Sequence, residues 1–227
     1  MKKISLLLFL IAGIIFFQSS AVANVVDLIG DGDFTSGLGA WAPFADFWGV
    51  TDSSGGILNW NNCQYYTTGG NRTGATRTLN IDVSGYNSLV FKYSITPIFQ
   101  SLTAPGWVGG NEYPAVALLR YTDTNGIPQI LATGYSYWFD PSYSTTFSHK
   151  EAPYPTYWFN EDIDLFALAQ KPKVIGSVEM YGHGWNYVGS ADNVQLLAGT
   201  PAIPEPASLS LLGLGLLGLV RLKRRKA

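Results

Sequence analysis

Four large aromatic residues stand in the middle of the chain among prolines, amides and carboxylates: Trp107, Trp138, Tyr154 and Trp158. A flat aromatic ring can stack on the apolar face of a sugar, while neighbouring Asn, Asp or Glu side chains accept hydrogen bonds from its hydroxyls. The stretch from Ser136 to Tyr157, with Pro141, Pro153 and Pro155, reads as a long loop, where binding side chains concentrate. Aromatic residues also fill sandwich cores, each burying roughly 150–250 Å², so a core role is the competing reading for any one of them. Asp140, Glu151, Glu161, Asp162 and Asp164 could supply a carboxylate pair for glycoside cleavage. Nothing in their spacing singles out an acid and a nucleophile. His149 lies near Ser144, Ser148 and Glu151, but a catalytic triad is a geometry that sequence neighbours rarely provide. His149 and His183 are the only histidines and Cys63 the only cysteine, which leaves no zinc-ligand spacing and no internal disulfide. Cys63 is expected to be a small buried residue rather than a nucleophile. Neither a Gly-x-Ser-x-Gly elbow nor a phosphate loop occurs. The expectation is a non-catalytic protein.

The elements that must hold these side chains read as short strands. Alternation of apolar and polar residues runs through Arg77–Val83, Ser88–Ile95, Ala115–Tyr121, Gln129–Thr133, Val174–Tyr181 and Asn193–Leu197. Turn residues separate them at Gly69-Gly70, Ser84-Gly85, Gly109-Gly110-Asn111 and Asn125-Gly126. The last of these lies between two apolar runs and predicts a hairpin. Only Glu161–Gln170 has helical spacing, through Ile163, Phe166, Ala167 and Gln170, and predicts one or two turns of helix. Many short strands with glycine-rich turns predict an all-β sandwich or jelly roll over residues 24–200. From Asn24 to Ile203 the chain carries seven Lys or Arg against fifteen Asp or Glu, a formal charge of −8. A domain with that field is not expected to bind nucleic acid. Its net charge suits neutral sugars, cations or cationic partners.

Two stretches bracket this domain. Leu28 to Gly37 with the following Trp41, and Val178 to Leu197 with its Asp192-Asn193-Val194, resemble the first and last strands of galactose-binding-like jelly rolls found as carbohydrate-binding modules. The resemblance implies a jelly-roll β-sandwich in which the Asp-Asn-Val segment pairs with the opening strand. It also implies a structural calcium near Asp192, with Asp31 or Asp33 replacing the acidic residue that Thr35 occupies here. Calcium takes carboxylate and carbonyl oxygens at 2.3–2.6 Å. The competing role for Asp192 is to cap a turn.

Both ends read as addresses. Lys2 and Lys3 precede the apolar run Ile4–Phe17 and the small-residue triplet Ala21-Val22-Ala23. That layout predicts a secretory signal peptide over residues 1–23, cut after Ala23 with Ala21 also recognised by signal peptidase. At the other end lie a proline linker over 201–206, an apolar run over 207–220 and a basic tail over 221–227. The run holds 14 residues, including seven leucines and three glycines. As a helix it reaches about 21 Å, short of the roughly 30 Å hydrocarbon core, so it makes a marginal permanent anchor even with snorkelling basic residues. Pro204-Glu205-Pro206, the leucine-glycine run and a tail containing Arg221, Arg224 and Arg225 resemble the PEP-CTERM sorting signal. That resemblance implies recognition by an exosortase, a transient inner-membrane anchor, and cleavage near Glu205. It further implies transfer to the cell surface or exopolysaccharide matrix of a Gram-negative bacterium, in biofilm or floc. An ordinary tail anchor is the competing reading. The expectation is an exported, non-catalytic envelope or matrix protein that binds extracellular polysaccharide. The alternatives are a purely structural or adhesive matrix protein and a glycoside-active enzyme.

Overall fold

The computed structural model describes residues 24–46, 48–63, 71–101, 103–105, 111–142 and 145–200. The predicted signal peptide and sorting signal, including Ala21, Ala23, Pro204, Glu205, Pro206, Arg221, Arg224 and Arg225, lie outside them, as does Trp107. Twelve strands follow in chain order: β1 (Val25–Asp27), β2 (Ala42–Ala45), β3 (Gly49–Asp52), β4 (Leu58–Asn62), β5 (Asn71–Asp82) and β6 (Ser88–Gln100). The second half holds β7 (Ala115–Asp123), β8 (Pro128–Ser136), β9 (Ser148–Glu151), β10 (Phe159–Asp164), β11 (Pro172–Gly184) and β12 (Tyr187–Gly199). Val25–Thr200 forms one compact unit.

The strands make two six-stranded sheets, ordered β10-β6-β12-β4-β3 with β1 also on β12, and β2-β5-β11-β7-β8-β9. The chain is therefore an all-β sandwich of jelly-roll type, as its sequence predicts. Period-two burial builds the core. Leu89, Phe91, Tyr93 and Ile95 of β6 face Ala115, Ala117, Leu119 and Tyr121 of β7, with Ile175, Val178 and Met180 of β11 and Val194, Leu196 and Ala198 of β12. Alternation puts every second side chain on one face of a strand, so these residues share one interior.

The Asn125-Gly126 turn joins β7 to β8, and Gly126 takes a φ of 81°. The buried carboxylate of Asp123 organises it, accepting from the amides of Ile127 (3.0 Å) and Asn125 (2.8 Å) and from Gln129 Nε2 (3.1 Å). The Ile127 amide is the main cause that holds the Asp123 carboxyl below its ordinary range.

Four sequence expectations change. The predicted helix over Glu161–Gln170 is instead the end of β10 and a single 3-10 turn at Leu165–Ala167. Phe159, Glu161 and Ile163 alternate inward against Ile95, Tyr93 and Phe91 of β6, so cross-strand pairing overrides the helical spacing. Asp164 then caps the turn by accepting from Phe166 N at 2.9 Å. The long loop from Ser136 contains a strand, β9, which adds to β8 in parallel. Leu28–Gly37 is not itself a strand: the opening strand is β1, which pairs with Leu197–Gly199, while Asp192-Asn193-Val194 keeps a backbone bond to the Leu28–Gly37 stretch. The triplet forms a bulge, with Asn193 at a φ of 53° and Val194 N donating to Gly32 O at 2.9 Å. Cys63 is exposed rather than buried.

Candidate functional site

Trp138, Tyr154 and Trp158 sit on the connections that follow β8 and β9, and none of them stacks on another among the described residues. Trp138 is 51 % exposed. Its backbone is pinned: Gln100 Nε2 and Ala104 N each donate to Trp138 O at 2.8 Å, and Gln100 N donates to the Tyr137 hydroxyl oxygen at 2.8 Å. Tyr154 is 57 % exposed and meets Tyr157 edge-on, with ring centroids 5.6 Å apart. From there a ladder of rings runs inward through Phe159 to Tyr135 and Tyr93, whose hydroxyls lie 2.8 Å apart. Burial pushes both of those hydroxyls well above the ordinary tyrosine range. Exposed rings on anchored backbone lose little conformational freedom when a ligand docks. Trp158 is half-buried. Trp48, on the connection from β2 to β3, is 81 % exposed. It is an exposed aromatic that the sequence reading passed over because it stands apart from the central cluster.

The outward face of the sheet containing β11 carries two side-chain groups. Over β8 and β9, Phe139, His149, Tyr113 and Phe147 stack in series, with centroids 3.7, 5.8 and 6.2 Å apart. Tyr113 lies so close to Gly134 that a Cβ there would meet its ring at 2.4 Å, so β8 needs glycine at that position. Closer to β5, Arg72 and Arg120 converge on Glu179. Arg72 Nη2 donates to Glu179 Oε2, and Arg120 Nε donates to Glu179 Oε1 at 2.7 Å. The Arg72 guanidinium also lies over the rings of Tyr181 (4.2 Å) and Phe44 (5.1 Å). Burial, opposed by the Arg72 charge, pushes the Tyr181 hydroxyl up to about 12. Arg72 and Glu179 are 107 residues apart, and Arg120 and Glu179 are 59 apart. No local spacing could have revealed this group.

His149 sits inside the ring stack and meets Ser136 Oγ through Nε2 at 3.3 Å, rather than Ser148. Burial lowers its pKa from the ordinary 6.5, against an opposing pull from Glu151. A lowered value means that the neutral ring stabilises the fold above about pH 6.5, and that this contribution is lost as pH falls through the folded value. Thermal melts should therefore show the protein losing stability as pH falls below about 6.5. His149→Phe should flatten that slope, because it keeps the stack and removes the proton site.

The carboxylates proposed for catalysis are mostly committed to structural partners. Lys150 Nζ lies 2.6 Å from both oxygens of Glu161, and Lys92 pairs with Asp162 at 3.2 Å. Asp140 accepts from Ser142, whose hydroxyl and amide hold its carboxyl below the usual range. The calcium set divides in a similar way. Asp31 Oδ2 accepts from Ala40 N at 2.8 Å and its Oδ1 faces Arg77 at 3.8 Å. Asp33 accepts from Thr35 N, and Asp192 from Asn193 N at 2.7 Å. Asp192 is raised by burial, and the nearby Asp33 charge raises it further. Among the described residues no three His, Cys, Asp or Glu side chains converge as metal ligands. The three carboxylates named from the sequence form no such group of three, although Asp33 lies near enough to Asp192 to act on it.

The structure is similar to the family 11 carbohydrate-binding module of the cellulosomal cellulase Lic26A-Cel5E of Clostridium thermocellum. That match has 12% identity and a TM-score of 0.40, and covers 79% of this chain and 96% of that chain. A family 16 carbohydrate-binding module is similar at 13% identity and TM-score 0.40, covering 74% and 98%. TmCBM61, in complex with beta-1,4-galactotriose, is similar at 9% identity and TM-score 0.40, covering 75% and 97%. No curated protein matches the chain. Residues 202–226 match the PEP-CTERM protein-sorting motif. The chain thus carries a PEP-CTERM sorting signal where Pro204-Glu205-Pro206, the leucine-glycine run and the basic tail predict it.

Proposed function

We propose that this is an exported protein of a Gram-negative bacterium, sorted by an exosortase to the cell surface or extracellular matrix, where its sandwich binds glycan without catalysis. The sorting half rests on the match over 202–226, whose apolar run is too short for a comfortable permanent span. The glycan half rests on one observation: Trp48, Trp138 and Tyr154 stand more than half exposed. An exposed aromatic ring offers a flat apolar face on which a sugar ring can stack. The non-catalytic reading is supported by Glu161, Asp162, Asp164 and Asp140, each occupied with a lysine or a turn amide.

Affinity gels carrying a panel of soluble polysaccharides test the binding. The protein should be retarded on at least one, and Trp138→Ala should weaken that retardation by roughly tenfold, the scale of a lost sugar-stacking aromatic. No retardation on any gel would leave the structural or adhesive matrix protein as the reading, and turnover of any gel polysaccharide would make it an enzyme. Mass spectrometry of the C-terminus recovered from envelope and medium tests the sorting, with a cut expected near Glu205.

A further inference from the structure

We infer that the glycan bound by this domain is acidic, and that a uronate carboxylate docks on the outward face of the β5-β11-β7 sheet at Arg120 and Arg72. The inference rests on the glycan-binding reading and names its substrate class. It runs against the domain's net charge of −8, so it depends on how the few cations are placed. Arg77, Lys92 and Lys150 are each matched with a carboxylate of their own, in Asp31, Asp162 and Glu161. Arg72 and Arg120 instead share one, Glu179. Among the described side-chain ion pairs that leaves one positive charge in excess, with the Asp46 carboxylate meeting only the Arg72 amide, at 3.0 Å.

The excess charge faces outward. Glu179 is nearly enclosed, its side chain 11% exposed, whereas the Arg72 and Arg120 side chains are 36% and 43% exposed. Arg120 spends its Nε on Glu179, and its terminal nitrogens make no hydrogen bond among the described residues. A guanidinium held through Nε presents the remaining N–H donors as a planar fork, which fits both oxygens of a carboxylate. Arg72 is fixed by its ring contacts and by Glu179, and Phe44 stands half-buried beside it. A cation with an adjoining aromatic face fits a sugar ring that bears a carboxylate. Glu179 holds the two arginines in place before the ligand arrives, so little side-chain freedom is lost on binding.

A matched pair of polymers tests this with the full chain: polygalacturonate and the same polymer with its carboxylates methyl-esterified. Retention should be stronger on the acid form, fall as salt screens the contact, and drop by roughly tenfold in Arg120→Gln. Arg120→Lys should recover only part of the loss, because it restores the charge without the fork. Retention on the ester form should be the same for Arg120→Gln as for the parent, which a misfolded variant could not show. Equal retention on acid and ester, or an unchanged Arg120→Gln, overturns the inference and leaves the glycan reading standing. Retention by no polymer in the panel overturns both.

Discussion

Trp60→Ala should lower the unfolding free energy by about 4 kcal/mol, the range found when a buried tryptophan or phenylalanine is truncated to alanine. Trp60 is 1 % exposed at the centre of β4. Its indole leans over Gly189 of β12, where an added Cβ would meet Nε1 at 2.7 Å. It then crosses the sandwich to donate from Nε1 to Pro114 O at 2.9 Å, just before β7 begins in the other sheet. One side chain thus fills the interior and ties the two sheets together. Alanine would open a cavity and leave a buried carbonyl without its donor. Trp60→Phe separates the two effects: it keeps most of the volume and loses the N–H, at about 1–2 kcal/mol. Denaturant melts of the three proteins measure both steps. A Trp60→Phe variant as stable as the parent would remove the hydrogen bond from the account. Since domains are stable by roughly 5–15 kcal/mol in all, the alanine variant should melt well below the parent.

Trp60 also shows how far the sequence could be read. Alternation was legible wherever one face of a strand met the core and the other met water, as in β6 with Leu89, Phe91, Tyr93 and Ile95. The alternation expected through Ala115–Tyr121 does not hold in β7, where Ala115–Leu119 is buried throughout. There the outward face is covered by Tyr113, Phe139 and Phe147, so both faces are apolar and the period of two disappears. β9 is a short, mostly exposed parallel addition with no hydrophobic pattern of its own. The candidate site was legible only in its local parts. Trp138 and Tyr154 were found as exposed loop aromatics because loop aromatics among prolines are a local signal. Arg72, Arg120 and Glu179 were not, since only the order β5-β11-β7 brings them together. Arg120 was the one charge in the apolar run Ala115–Tyr121, which was the only hint that one face of β7 does more than pack.

Replacing Pro204, Glu205 and Pro206 together by alanine should abolish C-terminal cleavage while leaving export intact. The prolines lack amide donors and bias their neighbours to extended geometry, so they separate the sandwich from the apolar run with a stretch that cannot become helix. An extended strand is the form in which a protease reads a peptide, because its backbone groups are free to pair with the enzyme. Three alanines would remove that bar and let 204–206 join any helix begun in the apolar run, hiding those groups in intrahelical bonds. The longer helix would also span the bilayer better, turning a transient hold into a stable anchor. The variant should accumulate in the membrane fraction with its full C-terminus, detectable by mass spectrometry. Neutralising Arg221, Lys223, Arg224, Arg225 and Lys226 to glutamine should fail differently. Without basic residues to stay on the cytoplasmic side, the run would be pulled through, and the uncut chain should appear outside the membrane. The two outcomes separate recognition from retention. If the triple-alanine chain were cut like the parent, the Pro-Glu-Pro segment would not be what the sorting enzyme reads.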